Sequence, residues 1–285
     1  MYYYLIILSA LLFSLQFLFN QQFEKINGDG FNSALAFSIY TSFTGFILLF
    51  LINGFKIHFS FFSFLIAFLY SCINIAFNFV SVKAFSSVNL GLYSVFAMLG
   101  GMLLPSIYGI VFNGEIITPP KVFSCVLIAL ATLFGLTDFE KNSRHSRNII
   151  WYVSVFLLNG LTGVLSAIHQ NYPSHKVDSI SFIAISRIII FVICIAFQFI
   201  FIRRMPAINF RSLCFAGGFS FLNSIGNLLL LVSLIHLQAS VQYPLVTGGT
   251  IVFSFFVSLA SKQKITVKIL ISVFLSSAAS VIIAL

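Results

Sequence analysis

Ser179-Ile180-Ser181-Phe182-Ile183-Ala184-Ile185-Ser186-Arg187-Ile188-Ile189-Ile190-Phe191-Val192-Ile193-Cys194-Ile195-Ala196-Phe197-Gln198-Phe199-Ile200-Phe201-Ile202 runs for 24 residues with a single charge, at Arg187. As a helix it rises about 36 Å at 1.5 Å per residue, enough for a hydrocarbon core of about 30 Å. A membrane-spanning strand would alternate apolar and polar side chains over roughly 10 residues. This run is longer and does not alternate. It reads as a membrane helix.

The rest of the chain is built in the same way. Of its 285 residues 60% are hydrophobic and 7% charged, with a mean hydropathy of +1.08. A soluble domain carries about 25% charged residues, so there is too little polar surface here to cover a water-soluble globule. In lipid every backbone N–H and C=O needs an internal partner, which leaves helices once barrels are excluded. The N-terminus, Met1-Tyr2-Tyr3-Tyr4 and onward to Phe19, lacks a basic leader and a small-residue cleavage site. It is therefore expected to be a retained first helix. Cys72, Cys125, Cys194 and Cys214 are scattered singly through apolar stretches, with no histidine at ligand spacing. That pattern suits packing and implies neither metal nor cofactor. The net charge of +9 sits in short connections, where it bears on topology and not on nucleic acid.

A 20-residue ruler places segments near 2–22, 32–53, 60–83, 88–112 and 119–137, then 149–170, 179–202, 211–235, 239–261 and 265–284. Between the fifth and sixth lies the polar connector 138–148, with Asp138, Glu140, Lys141, Arg144, His145 and Arg147. The expected fold is thus an all-α polytopic membrane protein of ten helices, with halves 1–137 and 149–285. Ser71-x-x-Asn74-x-x-x-Asn78 returns as Ser220-x-x-Asn223-x-x-x-Asn227, Gly100-Gly101 and Ser106 return as Gly248-Gly249 and Ser254, and Glu115-x-x-Thr118 returns as Gln263-x-x-Thr266. The order and spacing of the three matches suggest duplication. Because five is odd, the second copy would enter from the opposite side, giving inverted repeats of the kind that support alternating access. A symmetric scaffold with no transport role also fits.

Ten helices in this arrangement, Pro105, the run Asn113-Gly114-Glu115-Ile116-Ile117-Thr118, the short fifth segment, and Gln238-Ala239-Ser240-Val241-Gln242-Tyr243-Pro244-Leu245-Val246-Thr247-Gly248-Gly249 resemble the EamA-like members of the drug/metabolite transporter superfamily. The resemblance implies a secondary transporter with both termini in the cytoplasm. It also implies a family role for an Arg in the seventh segment, here Arg187. Where that family often repeats the Glu, this chain has Gln263.

Candidate residues follow from polarity at depth. Asn74 and Asn78 share a helix face, as do Asn223 and Asn227, and an amide in hydrocarbon needs a partner helix or a wet cavity. Gln16 and Asn20 form a third such pair; Ser166, Gln170 and Asn171 occupy the related part of the sixth segment. Arg187 lies about 12 Å from its helix start, as an anion partner or gate, or as a structural charge held by carbonyls. Glu115, at a helix end, reads as a coupling or gate site or as an interfacial charge; Lys83 reads as snorkelling to the interface. Pro105 and Pro244, each near a Gly pair, suit either kinked segments that expose carbonyls and the hydroxyls of Thr247 and Thr250, or tight packing. The expected substrate-binding set is Gln16, Asn20, Asn74, Asn78, Asn171, Arg187, Asn223, Asn227, Gln242 and Thr247.

Lys25, Lys83, Lys141, Arg144, Arg147, Arg203, Arg204, Arg211, Lys262, Lys264 and Lys268 follow odd-numbered segments, and only Lys56, Lys121 and Lys176 follow even ones. By the positive-inside rule both termini would be outside, against the family pattern, so orientation stays open. No nucleotide loop, triad or paired carboxylate occurs, and no enzyme is expected. The expected function is export of a small organic solute (an amino acid, metabolite or drug) across the plasma membrane. The partners are the lipid bilayer and that substrate; a monomer suffices. The alternatives are a non-transport accessory or sensor and a lipid-linked sugar flippase.

Overall fold

The computed structural model describes residues 2–85, 90–112, 118–120, 122–124, 126–127, 130–131, 134, 149–172, 176–202, 209–234, 239–262 and 265–283. Among them no strand occurs. Nine helices are complete enough to label: α1 Tyr2–Asn27, α2 Phe31–Ile52, α3 Phe61–Phe85, α4 Leu90–Phe112, α5 Ile149–Asn171, α6 Ser179–Phe197, α7 Phe210–Leu234, α8 Ala239–Ala260 and α9 Val267–Ile283. The described residues between 119 and 134 are also helical. By length and hydropathy, α1 to α7 can each cross a bilayer; α8 and α9 contain shorter apolar stretches, Leu245–Ala260 and Val267–Ile282. Among the described residues the chain is all-helical, and its seven long apolar helices are those of a membrane protein.

Helix ends fall where the chemistry changes. Asp178 caps α6 by accepting from the Ser181 amide at 2.9 Å, satisfying a donor the first turn leaves free. The α2 helix stops at Asn53, whose side-chain amide donates to the Lys56 carbonyl at 2.7 Å. The α6 helix closes with a π turn, Gln198–Ile202, whose Gln198 is buried. On the outside, Ile7, Leu51, Phe68, Val192 and Phe274 are exposed along their helices, as lipid-facing residues should be.

Lipid tails are as apolar as these side chains, so helix association depends on close fit and hydrogen bonds instead of on the hydrophobic effect. Both are visible. The α1 helix packs against α7 and α8, α5 against α3 and α4, α2 against α6 and α7, α3 also against α6, and α4 against α8. Edge-on aromatic pairs, Phe23–Phe37 at 5.0 Å and Phe37–Phe219 at 5.1 Å, tie α1, α2 and α7 together, each contributing about 0.5–1.5 kcal/mol. At the α4–α5 crossing, a Cβ on Gly100 would lie 2.7 Å from the carbonyl carbon of Phe156. Only glycine permits that approach. Nearby, the Asn159 amide donates to the Ala97 carbonyl at 2.6 Å and the Tyr152 hydroxyl to that of Ala84 at 2.6 Å.

Both prolines sit inside continuous helix: α4 runs through Pro105 and α8 through Pro244. At both Gly pairs the neighbouring helices approach closely, Gly100 against Phe156 and Gly248 against Ser280. Several buried hydroxyls donate within their own helix, as with Ser186 to Phe182, Ser276 to Ser272 and Ser280 to Ser276. Hydroxyls that cross between helices are therefore the informative ones.

Candidate functional site

Two hydroxyls cross in matching fashion. Ser71 of α3 lies 3.0 Å from the Ser186 carbonyl of α6, as well as 2.6 Å from the Ala67 carbonyl of its own helix. Ser220 of α7 donates to the Thr41 carbonyl of α2 at 2.6 Å. These serines begin the two S-x-x-N-x-x-x-N stretches, so each fixes the helix face on which its asparagines stand.

On α7 that face meets the buried Arg187 of α6. One guanidinium nitrogen, Nη2, donates to Asn223 Oδ1 at 2.9 Å, and Asn223 Nδ2 donates to Gln16 Oε1 of α1 at 2.9 Å. Asn227 Nδ2 donates to the Asn223 carbonyl at 2.7 Å and stands 3.3 Å from Asn223 Oδ1. A relay of side chains thus joins α6, α7 and α1 deep in the bundle. Tyr70 of α3 is close enough to Arg187 to interact with it electrostatically. Gly45 of α2 makes the room: a Cβ there would stand 2.6 Å from Ser220 Oγ and 3.4 Å from Arg187 Nε.

Beside this relay is a narrow cleft lined by Leu49, Ile180, Ile183, Asn223, Ser224, Asn227 and Leu228, of about 10 Å³, room for a single water. One turn along α1 from Gln16, the buried Asn20 leaves its Oδ1 without a donor among the described residues. On α3, Asn78 donates to Ser38 Oγ of α2 at 3.1 Å and lies 3.5 Å from Asn74 Oδ1. Thr247 is buried on α8. Gln16, Asn223, Asn227 and Arg187 are therefore brought together; Asn74 and Asn78 form a separate pair. The side chains of Asn171 and Gln242, and the whole of Glu115, lie outside the described residues.

The two ends of the bundle are tied by polar contacts. At one end His58 Nδ1 is 2.8 Å from Asp178 Oδ1, the Asn53 amide is 3.3 Å from Ser181 Oγ, and His169 Nε2 is 3.0 Å from Ser63 Oγ. Burial pushes the Asp178 carboxyl up. The bonds from Ser181 and the adjacent His58 outweigh that and hold it below its usual range. At the other end Lys83 pairs with Asp29 at 3.0 Å and the Ser212 hydroxyl donates to Asn27 Oδ1 at 2.9 Å. Lys83, expected at the interface, thus has a definite partner there. Sequence reasoning passed over Gly45, Tyr70 and the His58–Asp178 tie. Only the cap was signalled, by Asp178 immediately before the apolar run and Ser181 three residues on.

No family model and no curated protein matches the chain. Twenty-two chains of solved structures do resemble it in fold. One, a crystal structure of a protein, aligns with a TM-score of 0.59 at 11% identity over 96% of each chain. At that identity the likeness speaks for the fold alone.

Proposed function

We propose that the chain is a secondary transporter of a small organic solute, an exporter in the plasma membrane, working by alternating access between two inverted five-helix repeats, 1–137 and 149–285. The fifth span is 119–137, which brings the total to ten, in keeping with the resemblance to EamA-like transporters. One observation carries this: the largest contacts between labelled helices of the two halves survive exchange of the halves. If α1 corresponds to α5, α2 to α6, α3 to α7 and α4 to α8, then α1–α7 becomes α5–α3, α1–α8 becomes α5–α4 and α2–α7 becomes α6–α3, while α2–α6 and α4–α8 map onto themselves. All of these contacts occur. The Ser71 and Ser220 bonds exchange in the same way. Two similar halves around a central polar relay can trade one open end for the other.

A non-transport accessory or sensor is the second reading. Its support is the tightness of the interior, with a cleft sized for one water and Asn78 already satisfied by Ser38. Cross-linking in proteoliposomes separates the two. With the native cysteines replaced, Asn53→Cys with Ser181→Cys bridges one end, and Asn27→Cys with Ser212→Cys bridges the other. Flux of a mixed panel of amino acids, nucleosides, sugars and organic acids is read by mass spectrometry. Either bridge should stop flux, and reductant should restore it. Full flux with a bridge formed would refute alternating access, and a panel that never moves would favour the accessory.

A further inference from the structure

We infer that Arg187 is an anion receptor and that the solute it receives is a monocarboxylate. This rests on the transport reading for the word solute, but the binding chemistry stands by itself. A charged side chain at membrane depth is expensive and is kept where it pairs or does work. Among the described residues no carboxylate lies within salt-bridge distance of Arg187: Asp29 is held by Lys83, Asp178 by His58, and Glu24 stands two turns beyond Gln16 on α1. The hydrogen-bond partner of the guanidinium is one neutral amide oxygen, on Asn223. Five N–H donors in a planar fork, with one directed at Asn223, leave a geometry that matches a carboxylate's two oxygens.

The surroundings lead to the same ligand. Ile183 and Ile180 lie one and two turns before Arg187 on one face of α6, and Leu49 lies one turn after Gly45 on α2. These apolar residues wall the cleft, and Asn223 and Asn227 supply its polar side. Apolar walls and two amides beside the guanidinium suit an amphipathic acid, which this cleft of about 10 Å³ would admit only by widening. Charge number narrows the class. A single guanidinium balances one negative charge, so a phosphate dianion or a dicarboxylate would bring an uncompensated charge into a low-dielectric site. The amides cannot supply the missing cation. The relay offers Asn223, Asn227 and Gln16 for hydrogen bonds to the rest of the solute.

The test is melting of the intact, detergent-purified chain with isobutyrate, benzoate and 3-phenylpropionate, each against its amide, and with phosphate and succinate. The monocarboxylates should raise the melting temperature and the amides should not. Arg187→Lys should weaken that effect by about tenfold or more, since a point charge replaces the fork, and Arg187→Gln should abolish it. Equal stabilisation by acids and amides, stronger binding of phosphate or succinate, no response to any acid, or an acid preference that survives in Arg187→Gln would each overturn the inference. Should Arg187→Gln fail to fold, the acid–amide comparison on the native chain and the Arg187→Lys titration decide it. Acid binding without flux in proteoliposomes would remove the transport reading and leave the receptor. Flux of neutral solutes that persists unchanged in Arg187→Gln would remove the receptor and leave transport.

Discussion

The stretches Ser71–Asn78 on α3 and Ser220–Asn227 on α7 have the same spacing but different chemistry. Their serines behave alike, each reaching a backbone carbonyl on the second helix of the opposite half, Ser186 or Thr41. Their asparagines part company. Asn78 closes on Ser38 and the stretch ends there, whereas Asn223 links Arg187 to Gln16 across three helices. Both hydroxyls serve helix packing. The amides differ because only the α7 stretch stands beside a cation, Arg187.

A carboxylate placed on each stretch should separate the two most sharply. An Asp at the centre of a membrane helix costs about 2.5–3.5 kcal/mol on insertion scales. Asn223→Asp puts it 2.9 Å from the guanidinium, where pairing offsets the cost. The melting temperature should then hold or rise while carboxylate binding disappears, because the receptor carries its own anion. Asn74→Asp has only Asn78, at 3.5 Å, as hydrogen-bond partner among the described residues. It should lose about 2–3 kcal/mol of stability in reversible unfolding from mixed micelles. Equal losses in the two variants would mean that Arg187 does not serve the α7 stretch alone.

The glycine pairs give a smaller contrast of the same kind. A Cβ on Gly100 would lie 2.8 Å from the Phe156 Cα, backbone that cannot yield without moving α5. A Cβ on Gly248 would meet the Ser280 Cβ at 2.9 Å, a side chain on the neighbouring α9. Gly100→Ala should therefore cost about 2–3 kcal/mol. At Gly248→Ala one Cβ, fixed to the α9 backbone, must give way, and about 1 kcal/mol of helix propensity offsets only part of that, so the loss should be smaller than at Gly100 but measurable. A Gly100→Ala protein as stable as the Gly248→Ala one would show that the α4–α5 crossing has slack.

How much of this could be read beforehand depends on what each feature rests upon. Helix limits were legible because hydropathy and length set them: segments expected at 32–53 and 149–170 are Phe31–Ile52 and Ile149–Asn171. The first helix runs to Asn27, past the residue 22 that a 20-residue ruler sets, and carries the polar Gln21 and Glu24 into the bundle, where both are buried. That Arg187, Asn223 and Gln16 are polar in apolar helices is plain from the chain. That they touch is not, since contact depends on how three helices are rotated against one another. Nor could composition say whether the Gly pairs loosen a helix or let a neighbour in. The π turn at Gln198–Ile202 has no sequence mark at all.

The smallest expected effect bears most directly on the repeat. Ser71→Ala and Ser220→Ala each remove one hydroxyl whose acceptor carbonyl still keeps its own helix bond, so neither strands a buried group. The loss should be about 1 kcal/mol apiece, and the two should add in the double variant, since the bonds lie on separate helix pairs. Equality is a demanding outcome, because the hydroxyls are not in identical settings. Ser220 has only the crossing bond, while Ser71 is closer to Ala67 in its own helix, at 2.6 Å, than to Ser186. If the intrahelical carbonyl holds the Ser71 proton, its removal will cost almost nothing and Ser220→Ala alone will be felt. Matching losses would mean that the crossing bond is worth the same in both halves, in keeping with the proposed exchange of α2 with α6 and α3 with α7.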